Sequence, residues 1–128
     1  MSIMPTIVSA FNNHFKDMCE DVLSIYPNDW NIKKAYHSVE LLQKVKPSLI
    51  ISLWKQLTLR FENEIESQGL TFFLEYKYEE DESIRKQAIL LEALLQFRKS
   101  IAQMSVENQE KVYEYITNLT KMSHMFNK

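Results

Sequence analysis

His37 and Glu40 stand three residues apart, a spacing that on a helix brings an imidazole and a carboxylate to the same side, where they could share a metal ion. A zinc site needs three or four ligands, and His14, Cys19 and His124 complete no metal-binding spacing with that pair. Cys19 and His14 have the residue types of a thiol nucleophile and its base, but a five-residue separation turns them to different sides of a helix. Asp17, Glu20 and Asp21 are a second carboxylate group. Acid–base work needs burial that pushes their pKa values apart, and the outer face of a helix supplies none, so they read as a solvated acidic patch. Asn118-Leu119-Thr120 fits the glycosylation pattern but falls in a helical segment, where it reads as accidental. These residues lead us to expect no catalytic set, no metal and no cofactor.

Two groups suit binding better than catalysis. Phe72, Phe73, Tyr76 and Tyr78, in the stretch LTFFLEYKY, are a candidate partner surface, because that stretch lacks a clean helical period; the competing reading is core. Lys33, Lys34, Lys44, Lys46 and Lys55 are a candidate basic patch, since residues 30–60 carry net charge +5 whereas residues 61–82 carry −7. The flanking regions, 1–29 and 83–128, carry −3 and +3. Segregated charge of this kind docks against an opposite partner or pairs within the molecule. Two helices joined at Val45-Lys46-Pro47-Ser48 also permit a helix-turn-helix reading. The second of them, however, presents Glu62, Glu64 and Glu66 and offers phosphates only Lys55 and Arg60.

The elements that must position these groups are helices. A single Gly and three Pro in 128 residues leave little material for hairpins or phosphate loops. Val8, Phe11, Phe15, Met18, Val22 and Ile25 recur at alternating spacings of three and four, which predicts a helix over 7–26 that Pro27 closes. Asp29 or Asn31 then caps a second helix, reaching about Lys46, with Ile32, Ala35, Tyr36, Val39, Leu42 and Val45 inward. Pro47 is suited to the first position of a third helix, whose apolar face holds Ile50, Leu53, Trp54, Leu57, Phe61 and Ile65 and which Gly69 ends. LTFFLEYKY reads as a short helix or an irregular aromatic plug. The acidic run Glu79-Glu80-Asp81-Glu82 leads, solvated, into the next helix.

That helix, Ser83 to Met104, is expected to be the central one. Its periodicity puts Ile84, Ala88, Leu91, Leu95 and Ala102 on one side and Leu90, Leu94, Phe97, Ile101 and Met104 on the next. Only a stripe of Arg85, Glu92, Gln96, Lys99 and Gln103 is left polar. A last helix, capped by Ser105 and running to about Phe126, buries Val112, Ile116, Leu119 and Phe126. The expected fold is therefore all-α: a single domain over 1–128, a bundle of about five long helices plus one short aromatic helical or irregular segment. Apolar residues at 45% and charged residues at 25% are ordinary globular usage, with enough chain for one core. Cys19 stands alone, no leader pattern opens the chain and no apolar run could span a bilayer, so an intracellular, reducing compartment is expected.

The order FNNHFKDMCEDVLSIYPND, KVKPSLIISLWK, TFFLEYKY before an acidic stretch, and ENQEKVYEYITNLTKMS resembles a group of small uncharacterised proteins of large double-stranded DNA viruses of eukaryotes, the algal and amoebal giant-virus lineages. The resemblance runs over nearly the whole chain and is carried best by FNNHF, YPND and YITNLTK. It implies a viral origin and brings no functional residue with it. The expectation is a non-enzymatic viral protein acting through protein–protein contacts, as a minor capsid or virion-associated component. Its partners would be other virion proteins or a second copy of itself, within the infected cell or packaged in the particle. The alternative is an accessory regulator of viral transcription or replication that contacts nucleic acid through the basic 30–60 region.

Overall fold

The structure, a computed structural model, describes residues 3–127, with side chains from residue 7 onward. Eight α-helices and one 3-10 turn are present among the described residues: α1 (Ile3–Ile25), α2 (Trp30–Val45), α3 (Leu49–Arg60), α4 (Glu62–Gln68), α5 (Leu70–Glu75), the 3-10 turn Tyr78–Glu80, α6 (Glu82–Arg85), α7 (Ala88–Ala102) and α8 (Val106–His124). The fold is all-helical, as expected, but two of the anticipated long helices are each broken in two. No helix among the described residues is long and apolar enough to cross a membrane.

Local chemistry accounts for most boundaries. α1 starts ahead of the expected position because Pro5 falls in its first turn, where a missing N–H costs nothing. Asp29 caps α2 by accepting from the backbone N–H groups of Asn31 and Ile32 at 2.9 and 3.2 Å. Pro47 stands in the α2–α3 turn, two residues ahead of the helix it was expected to open, and its carbonyl accepts from the Asn12 side chain at 2.9 Å. Ser105 caps α8 by accepting from the Asn108 N–H at 3.2 Å. Gly69, at φ +60 and ψ −136, ends α4 in a conformation that a Cβ-bearing residue adopts only under strain.

The first break is at Phe61, where φ −116 and ψ 34 leave helical geometry although hydrogen bonds continue on both sides. The kink directs the Phe61 ring onto Phe72 and Tyr76, at centroid separations of 5.4 and 5.3 Å. The second break, at Lys86-Gln87, divides the expected Ser83–Met104 helix. Ile84 and Leu90 would point about 120° apart on a continuous helix. Here both are buried in the same core. The buried stripe of α7 is consequently Leu90, Ala93, Phe97, Ile101 and, just beyond, Met104, while Ala88 and Ala102 are exposed and Leu91 and Leu95 half-buried.

One contiguous core runs through these helices. α7 packs against α1, α2, α5, α6 and α8, its most extensive partner being α2, so it is central in the sense expected of it. α1 lies against α2, α3, α7 and α8. Polar ties fix the outer helices. The Tyr36 hydroxyl donates to Glu20 at 3.2 Å and the Tyr115 hydroxyl to Asp21 at 2.5 Å. The carboxylates expected to be merely solvated therefore tether α2 and α8 to α1.

Candidate functional site

At the centre of the bundle, side chains from α1, α3, α5, the 3-10 turn, α6, α7 and α8 leave a cavity of about 90 Å³. Phe15 and Cys19 on α1, Trp54 on α3, Phe73 on α5 and Phe97 on α7 form much of its wall. That is several times the space a single water needs. Interiors are normally filled, so an unfilled volume of this size stands out. The wall offers water almost nothing to bond to. The Tyr78 hydroxyl, which lines it, donates to the Phe73 carbonyl at 2.7 Å, and the Trp54 indole N–H donates outward to Thr120 at 3.0 Å.

Arg98 is the one charged residue on the lining. Its guanidinium donates to the Tyr76 carbonyl at 2.5 Å, lies 5.4 Å from the centre of the Tyr78 ring and is 3.8 Å from the Glu79 carboxylate. Its side chain is 25% exposed, so the charge sits at the rim, with one side turned to solvent. Leu70, Leu74 and Leu94, half-buried, also line the cavity and belong to α5 and α7, the helices nearest that rim.

The aromatic stretch holds a correction. Phe72, Phe73 and Tyr78 are 6–7% exposed and form core rather than a partner surface; Tyr76 is half-buried. A six-residue helix turns the Phe pair inward, Phe73 stacking on Trp54 at 6.1 Å, and the chain then folds back to bury Tyr78. Burial pushes the Tyr78 phenol upward. Asp81, expected to be solvated, is also inside. It caps α6 through the Ile84 N–H at 3.2 Å and accepts from Tyr76 at 2.6 Å and from Arg60 at 2.5 Å. Burial alone would raise its pKa, but the bonds from Tyr76, Ile84 and Arg60 together hold it below the ordinary value. The same burial and the Asp81 carboxylate push the Tyr76 phenol up to about 12.

The basic group is only partly assembled. Lys34, Lys44 and Lys46 are exposed and Lys33 is half-buried, all on α2 or just past its end. Lys55 is elsewhere, on α3, where its ammonium donates to the Phe126 carbonyl at the end of the chain. What the sequence reading did not single out is the apolar content of the same α2 face. Trp30, Leu41 and Val45 fall within about 60° of one another around the helix. They are 74, 55 and 65% exposed, with Lys34, His37 and Lys44 among them. Val45 had been assigned to the core. Trp30, one residue past the cap and off the apolar stripe, was the available signal.

The remaining candidates stay apart. His37 Nδ1 lies 3.2 Å from Glu40, but Glu40 also pairs with Lys16 at 3.2 Å, and the Lys16 bond is the main reason its pKa is lowered. No group of three potential metal ligands occurs among the described residues. Cys19 is fully buried, and burial, with the nearby Glu20 charge, drives its thiol strongly upward, away from the thiolate a nucleophile needs. His14 lies against the Tyr115 ring at 4.9 Å, its Nε2 buried without a partner among the described residues. Comparison with family models, curated proteins and solved structures finds no match to this chain.

Proposed function

We propose that this chain is a non-enzymatic protein that works through protein–protein contacts, and that the outward face of α2 is its contact surface. The observation that carries this reading is the alignment of Trp30, Leu41 and Val45, all largely exposed, on one side of a helix whose other side is packed. Large apolar side chains aligned in water along one helix face are a mark of a surface completed by a partner, and tryptophan is the residue type most often central to one. Lys34, Lys44 and His37 on the same side fit a partner that is acidic around an apolar patch. The resemblance of the sequence to uncharacterised giant-virus proteins motivates a viral setting, and within it the role we assign is a minor capsid or virion-associated component. Nucleic-acid contact has less support, because Lys55 and Arg60, the phosphate-binding candidates of α3, are engaged by Phe126 and Asp81.

The test is recovery of the tagged chain from infected-cell extract, with bound proteins identified by mass spectrometry and compared with those retained by a Trp30→Ser, Leu41→Glu double variant. Specific capsid or virion partners lost from the double variant, with unchanged circular dichroism, support the reading. Partners retained equally by both proteins would move the contact off α2, and a chain undetectable in purified particles would remove the virion assignment.

A further inference from the structure

We infer that the central cavity is a binding site for the alkyl chain of a short-chain carboxylic acid, with Arg98 at its rim receiving the carboxylate. Three observations converge on that ligand class. The volume of about 90 Å³ is lined almost wholly by aliphatic and aromatic side chains, and the hydroxyl and indole groups of Tyr78 and Trp54 are already hydrogen-bonded elsewhere. Such a space excludes water and accepts a short run of hydrocarbon. The single lining charge is a guanidinium, the group best shaped for a carboxylate, and it stands where the wall meets solvent.

The third observation concerns Glu79. Its carboxylate, half exposed, faces Arg98 at 3.8 Å, too far for a good hydrogen bond. A carboxylate on a half-exposed side chain therefore already marks the position, and a ligand headgroup can take its place at little cost. Access is available beside α5. That helix is six residues long and held between backbone turns at Gly69 and Tyr76. It contributes Leu70, Phe73 and Leu74 to the wall. The route of entry we assign is displacement of this short helix.

The experiment titrates the purified full-length chain, in a Trp30→Phe background so that emission reports Trp54, with pentanoate and with the chain-matched primary alcohol. Pentanoate is expected to shift the emission saturably and to bind about tenfold more tightly than the alcohol, the value of one charge-assisted contact. Leu94→Phe, which fills the cavity from a half-buried position without adding a second emitter, is expected to abolish binding of both, and Arg98→Gln to remove the preference for the acid. The acid-over-alcohol preference of the unsubstituted cavity tests the Arg98 assignment even if Arg98→Gln fails to fold. Absence of saturable binding, or binding indifferent to Leu94→Phe in a variant that stays folded, overturns the site. Equal binding of acid and alcohol overturns the ligand class.

Discussion

Tyr76 and Asp81 are joined by a 2.6 Å hydrogen bond from phenol to carboxylate, and the same carboxylate oxygen accepts from Arg60. The other oxygen caps α6. One buried side chain therefore closes the aromatic segment, ties it to α3 and starts the next helix. Asp81→Ala removes all three functions together. The helix cap is worth about 1 kcal/mol, and Tyr76 and Arg60, both reaching solvent, recover part of their bonding from water, so a loss of about 2 kcal/mol is expected. Urea denaturation measures it; a shift indistinguishable from zero would show that the cluster adds nothing.

The same carboxylate sets a pH dependence. Its folded pKa lies below the unfolded value of about 3.9, so its contribution is fully present above that value and is lost as pH falls through the folded pKa. Melting temperatures measured between neutral pH and about pH 3 are expected to converge for wild type and Asp81→Ala at the acid end. A gap that persists unchanged into acid would mean the charged form of Asp81 is not what stabilises.

Gly69→Ala tests the α4–α5 junction. The added Cβ meets only the Tyr113 ring, at 3.8 Å, which is ordinary contact, so any cost comes from the backbone at φ +60. About 1–2 kcal/mol of destabilisation is expected by chemical denaturation. A neutral or stabilising result would show that the junction relaxes to negative φ.

The helices were legible wherever one periodic stripe ran from cap to stop. Asp29 to Val45 and Ser105 to His124 follow from capping residues and from apolar spacings of three and four. The breaks at Phe61 and Gln87 were not, because neither residue is a helix breaker. Phe61 departs from the helix where its ring meets Phe72 and Tyr76, and Gln87 where Ile84 and Leu90 must share a core; both are tertiary demands that no local pattern encodes. The cavity was illegible for a related reason: it exists only where six helices fail to meet. Arg98 gave a faint signal, a charge next to Phe97 and outside the polar stripe assigned to that helix.

Filling the void should stabilise the fold. Val22 is buried on the cavity wall, and Val22→Ile adds one methyl group there without polar consequence. A gain of up to about 0.8 kcal/mol is expected, the transfer value of one methylene. Overpacking would instead cost about 1–3 kcal/mol. The sign of the change in urea midpoint separates the two, and a loss would mean that the cavity does not extend to Val22.

Cys19 reports on how the cavity opens. Its thiol lies on the wall, 1% exposed, with its ionisation opposed by burial and by Glu20. Reaction with a thiol reagent requires both contact and thiolate, so the folded protein at about pH 8 is expected to resist labelling while the unfolded chain, with an ordinary pKa of about 8.5, reacts at once. If only global unfolding exposes the thiol, its labelling rate will climb with urea as steeply as the fraction unfolded. A rate already high in water and insensitive to low urea would instead identify a local opening. Displacement of α5, a six-residue wall of the cavity with backbone turns at both ends, is the motion the proposed entry route requires. Repeating the labelling with Gly69→Ala then discriminates further: strain at the α5 hinge should accelerate the local route and leave the global one changed only by its stability.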